Sequence, residues 1–172
     1  EVKAWRTGVE FPEQEVPIEP YFLGVWLGDG NRKSMSISNP EPEIVEYLYG
    51  FAKRNMVKIT KVHQAVGRCP MWNIRTIGQT GKFNRNPVMK AMRELDVIDN
   101  KHIPRIYKTN SRNMRMELIA GLIDTDGYAI HGMAEITQKN KQLADDIVFL
   151  ARSLGFCATV KEERKECVNN GV

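Results

Sequence analysis

Asp29 and Asp126 are the residues of this 172-residue chain best placed to do chemistry, because each closes the same kind of segment. Phe22-Leu-Gly-Val-Trp-Leu-Gly-Asp29-Gly30 and Ile119-Ala-Gly-Leu-Ile-Asp-Thr-Asp126-Gly127 end 97 positions apart. Each reads as apolar helical turns with small residues at i and i+4, Gly24 with Gly28 and Gly121 with Thr125. That spacing lets two helix backbones approach closely. Two helices meeting along Gly24, Gly28, Gly121 and Thr125 would deliver the two aspartates side by side. Adjacent carboxylates suit Mg²⁺, which prefers oxygen ligands and usually takes only one or two carboxylates from protein.

Blander readings of the same residues are weaker. Asp124-Thr-Asp126-Gly127 begins like a calcium loop with Glu135 at its twelfth position, but Tyr128 and Ala129 offer neither a ligand nor the turn glycine. Gly28-Asp29-Gly30 alone reads as a helix end and turn, and only the second copy lifts it above that. His63, His102 and His131 stand in no metal-site spacing, and there is no glycine-rich phosphate loop. Cys69, Cys157 and Cys167 have no C-x-x-C pairing and read as reduced thiols, Cys157 as a core residue.

The elements that must hold the aspartates recur. A helix is expected from Pro20 to Gly28, then a strand over Ser34 to Ser38. A second helix starts near Pro42 with Ile44, Leu48, Phe51 and Ala52 on one stripe, followed by a strand over Val57 to Thr60. After Asp126 the order repeats: a strand over Ala134 to Thr137, a helix with Leu143, Ile147, Leu150 and Leu154 in register, then a strand over Phe156 to Val160. An offset this long is an internal duplication rather than a solenoid. The first copy continues with a strand over Trp72 to Thr76 and a helix from Pro87 to Leu95. Only 46 residues follow Asp126, so the second half is expected to lack its last strands and helices. Residues 1–17 read as an extended leader or linker, 18–117 as the first half and 118–172 as a truncated second half.

Composition bounds the answer more loosely. With 42% hydrophobic residues the chain can bury one core, and its net charge of +4 is only mildly basic. Basic residues crowd the first half, among them Arg32, Lys33, Lys58, Arg75, Lys82 and Arg85. Strand alternation turns Val57, Ile59, Trp72 and Ile74 inward and Lys58, Thr60, Asn73 and Arg75 outward. No apolar run approaches a membrane span and no signal peptide is visible. The chain is expected to work inside the cell.

The second segment resembles the LAGLIDADG motif of homing endonucleases nearly letter for letter, and the first resembles the divergent copy of intein-encoded members. Asn100-Lys101-His102-Ile103-Pro104 is similar to the block carrying that family's active-site lysine. Phe83-Asn-Arg-Asn-Pro87, a helix and the lysine block also follow the order in intein-encoded members. The resemblance covers roughly residues 18 to 167. It implies an α+β fold of two pseudo-symmetric αββαββα halves packed through their motif helices, with saddle-shaped sheets laid on DNA. It implies site-specific, metal-dependent cleavage of double-stranded DNA by a monomeric single-chain enzyme, in the nucleus if the host is a eukaryote. Asp29 and Asp126, with Gly28 and Thr125 beside them, would hold Mg²⁺ or Mn²⁺, and Lys101 would polarise the water or offset charge at phosphorus. The outward sheet residues, with Arg32, Lys33, Lys82 and Arg85, would contact DNA. Asp124 would sit off the metal site, and a second lysine would lie beyond Val172. Two alternatives remain: a maturase of the same fold that binds intron RNA, and a DNA-binding fragment without full cleavage activity.

Overall fold

The computed structural model describes residues 7–78 and 86–164 and is mixed α+β with small antiparallel sheets. Its first half begins with α1 (Pro20–Asp29), β1 (Ser36–Ser38), α2 (Pro42–Arg54), β2 (Val57–Lys61), β3 (Met71–Thr76) and α3 (Pro87–Glu94). A short turn of helix, α4 (Arg105–Lys108), leads into α5 (Arg112–Asp126), then β4 (Gly127–Ile130), β5 (Met133–Ile136) and α6 (Lys141–Ser153). Helix, strand and helix thus recur, with α1, β1 and α2 echoed by α5, β5 and α6.

Helix α1 is the centre of the core. Phe22, Leu23, Val25, Trp26 and Leu27 are all fully buried, as expected of a helix apolar on every side. It packs along α5, which brings Leu118, Gly121 and Leu122 against Gly24. Helix α2 is amphipathic instead, and buries Ile44, Leu48, Phe51 and Ala52. Phe51 stacks on Phe22 with ring centroids 3.8 Å apart. Glu19, just before α1, accepts hydrogen bonds from Arg54, Asn55 and Tyr47, so the start of α1 is fastened to the end of α2. A buried arginine fastens α5. Arg115 is fully buried and donates to the carbonyls of Asn110, Ser153 and Val9, taking up main-chain acceptors rather than a carboxylate.

The larger sheet has the order β1-β3-β2, antiparallel throughout. Ile37, Val57 and Ile74 are buried on its inner face. Lys58 stands opposite Arg75 and Thr60 opposite Asn73, which puts the four side chains on the other face by alternation. Asn86 joins sheet to helix: its amide donates to the Ile74 carbonyl and its oxygen caps α3 at Val88 and Met89. Strand β1 is shorter than the alternation from Ser34 suggests, because Asn31 turns the chain by hydrogen bonding with Lys33 and Ser36.

In the second half one expected strand forms and another does not. The strand expected at Ala134 to Thr137 is β5, but it is one arm of a hairpin whose other arm, β4, the apolar pattern did not reveal. The two are joined by His131 and Gly132, both with positive φ (49° and 76°), the backbone that a two-residue hairpin loop requires. Phe156 to Val160 is not a strand, since a strand exists only by pairing and none lies beside it among the described residues. Cys157 is accordingly exposed rather than in the core.

Residues 7–17 carry no helix or strand, yet they are bound to the body. The Val9 amide donates to the Ser153 carbonyl at the end of α6, and the Asn110 side chain bonds both the amide and the carbonyl of Gln14, whose own side chain donates to the Thr109 carbonyl. No helix among the described residues is long and apolar enough to cross a membrane.

Candidate active site

The site is made by the contact of α1 with α5. A Cβ added at Gly24 would lie 2.3 Å from the Leu118 carbonyl oxygen, and one at Gly121 would lie 2.3 Å from that of Tyr21. Both distances are far inside van der Waals contact, so the backbones meet where only hydrogen fits. One turn on, a Cβ at Gly28 would fall 2.1 Å from the Thr125 hydroxyl. The crossing therefore runs through all four small residues and ends at the aspartates, the carboxyl carbon of Asp126 lying 3.5 Å from that same Gly28 position.

After each aspartate the chain must leave the helix sharply. Gly30 and Gly127 do so with extended backbones, φ −71° and −92°. A side chain at either would collide with the last turn, since a Cβ would sit 2.3 Å from the Trp26 carbonyl oxygen or 2.4 Å from that of Ile123. The glycine after each aspartate thus serves close approach rather than the left-handed cap its position suggests.

Burial dominates the electrostatics. It pushes the Asp29 carboxyl above its ordinary range, opposed by a 2.6 Å hydrogen bond from Asn39 and by the charge of Lys101. Asp126 is raised by burial and then by the charge of Asp29, with Lys101 opposing. Lys101 is pushed down to about 8 by burial, against the pull of Asp126 and Asp29. Its ammonium donates to the carbonyls of Leu27 (2.9 Å) and Gly28 (3.0 Å) at the end of α1 and lies 5.2 Å from the centre of the Trp26 ring. Two carboxylates and one ammonium are thus gathered where α1 and α5 end, half withdrawn from water.

Gly28 offers Lys101 a carbonyl, whereas the Thr125 hydroxyl turns back on the carbonyls of Gly121 and Leu122. Asp124 takes a 2.7 Å hydrogen bond from the Tyr21 hydroxyl. Lys58 and Arg75 are exposed, Thr60 and Asn73 half-buried beside them. Arg32 and Lys33 are exposed near the end of α1, Arg32 with Asp99 3.5 Å away. Lys82 and Arg85 lie outside the described residues. Sequence reasoning passed over Asn39, which is buried and holds Asp29 while its own carbonyl accepts from the Trp72 indole at 3.0 Å. An asparagine before a proline and a helix carries no local sign of such a role.

Among the described residues no group of three or more His, Cys, Asp or Glu gathers as a metal cage. The donors at the junction are two carboxylates with main-chain carbonyls nearby, an all-oxygen set of the kind that Mg²⁺ takes with several waters retained.

Residues 102–172 match the family model described as homing endonuclease, a stretch that holds α5, Asp126 and α6. The chain is 34% identical over 153 residues to the replicative DNA helicase DnaB of Mycobacterium intracellulare, covering 88% of this chain and 22% of that protein. It is 27% identical over 173 residues to the homothallic switching endonuclease of Saccharomyces cerevisiae, covering 86% of this chain and 29% of that protein. The chain therefore spans less than a third of the length of either relative. The family model and the yeast relative both point to a likeness to homing endonucleases.

Proposed function

We propose that the chain is the DNA-cleaving part of an intein-encoded LAGLIDADG homing endonuclease that cuts both strands of a long, specific site. One observation carries this: the close crossing of α1 and α5, which sets Asp29 near Asp126 with the Lys101 ammonium on the end of α1. The intein setting is supported by the similarity to a fifth of a replicative helicase and to under a third of an endonuclease, as expected of a module inserted into different hosts. The repeated helix, strand and helix support two pseudo-symmetric halves, each serving one strand, in a single-chain enzyme.

In this reading Asp29 and Asp126 would hold Mg²⁺ or Mn²⁺. Bound there, the metal supplies an activated water for attack on phosphorus and neutralises charge on the leaving oxygen. The chain's own contribution is placement. Helices packed backbone to backbone cannot drift apart, so the carboxylates keep their separation. Burial leaves them poorly solvated and mutually repelled, which favours any cation that enters. Lys101, fixed by two carbonyls, offers preorganised positive charge to a phosphorane-like transition state. The sheet supplies the grip. Lys58 directly opposite Arg75 is a like-charge pair that costs stability in an isolated sheet, and a polyanion laid across it relieves that cost. Arg75 and Asn73 are the residue types that read guanine and adenine in a major groove.

Incubation of the full-length protein with a library of plasmids carrying host-gene and randomised sites tests the reading. Cutting is expected at one long sequence in Mg²⁺ or Mn²⁺ and not in EDTA. Cutting that survives chelation, or that ignores sequence, contradicts it.

A further inference from the structure

Lys101 belongs to the first half in sequence, but its backbone is held by the second. Residues 101–104 form no helix or strand, so no regular hydrogen-bond ladder fixes where a long lysine side chain starts. Two side chains, from the N-cap and the body of α6, do so instead. The Asn140 amide donates to the Lys101 carbonyl at 2.7 Å, and the Asp146 carboxylate accepts from the Ile103 amide at 2.9 Å. Ile103 is fully buried, and Asp146 also pairs with Lys108. The Asn140 contact is the one made to Lys101 itself. Asn140 is at the same time the N-cap of α6, its oxygen accepting from the Leu143 amide at 3.3 Å. One planar amide thus joins the start of a rigid helix to the residue whose ammonium reaches the carbonyls of Leu27 and Gly28.

We infer that Asn140 is a positioning residue for Lys101, setting the ammonium at the end of α1 through the main-chain carbonyl. The consequence for cleavage rests on the reading of Lys101 as an active-site group; the consequence for the lysine's position does not. The two functions of Asn140 are separable by substitution. Asn140→Asp has the same shape and keeps a preferred N-cap oxygen, but has no amide to give to Lys101. Asn140→Ser also keeps the cap, is shorter, and adds no charge.

The test measures melting temperature, cognate DNA affinity, single-turnover cleavage and the ¹⁵N resonance of the Lys101 ammonium in full-length protein. In both variants melting temperature and DNA affinity are expected to match the parent, while the cleavage rate falls about 10- to 100-fold, as when a supporting contact is lost. The fall should vanish in the Lys101→Met background, and the ammonium resonance, sharp when held by two carbonyls, should broaden. An unchanged resonance in both variants overturns the inference, as does an equal loss of rate in the two backgrounds or a lowered melting temperature in both variants. Should Lys101→Met itself cleave at the parent rate while the Asn140 variants still broaden the resonance, the active-site reading of Lys101 fails and the positioning stands.

Discussion

Asp126→Asn is expected to abolish double-strand cleavage and, in the metal-free protein at pH 7, to raise the melting temperature. The two effects have one cause. The carboxyl is held above its ordinary value by burial and by the charge of Asp29, so it binds its proton more tightly in the folded than in the unfolded chain. Stability from such a group is fully present below the unfolded value, about 3.9 for aspartate, and is lost as the pH rises through the folded one. At pH 7 the cost stands in full, and an amide of the same shape removes it. Parent and variant should therefore converge as the medium is acidified through the carboxylate range. Asp29→Asn should abolish cleavage likewise, with specific DNA binding within about tenfold of the parent for either variant, because the sheet face is untouched. Either variant cutting at the parent rate in Mg²⁺ rules out the site.

Gly121→Leu should be the most damaging single change away from the carboxylates. Its first added carbon would lie 2.3 Å from the Tyr21 carbonyl oxygen and 2.9 Å from the Val25 amide nitrogen. Both are backbone atoms, so no rotamer relieves the clash and the helices must separate. Overpacking of this kind costs about 1–3 kcal/mol or more, at roughly 2–4 °C of melting temperature per kcal/mol for a chain of this size. Separation also carries Asp126 away from Asp29, so cleavage should fall with stability. Gly50→Leu is the control, because a Cβ there meets only the flexible end of Arg54, at 3.2 Å. Equal melting curves for the Gly121 and Gly50 variants would show that the helices do not meet as described.

What was legible in the sequence was local. The apolar turns of α1 and α5, their small-residue spacing and the terminal aspartates are written in adjacent residues, as are the stripes of α2 and α6. What escaped depends on partners far along the chain. Phe156 to Val160 has the composition of a strand, but composition supplies no partner. Strand β4 was hidden because Gly127 to Ile130 does not alternate, and the sign of its hairpin lay in His131-Gly132, a turn pair easily passed over. Asn39 and Asn140 drew no notice in the sequence, although Asn140 is the N-cap of α6. Their further bonds, to Asp29 and to a backbone 39 residues away, follow from packing that no local pattern encodes.

On the proposed reading the junction of α1 and α5 is a divalent-metal site made by two aspartates from different halves. Titrating Mn²⁺ into ¹⁵N-labelled protein tests this directly, since the paramagnetic ion broadens the amides nearest to it. The amides of Gly28, Asp29, Gly30, Thr125, Asp126 and Gly127 should broaden first and together, and Asp29→Asn should weaken the effect at both segments. Broadening that spares one segment, or that centres on surface carboxylates such as Glu43 and Glu46, would contradict it.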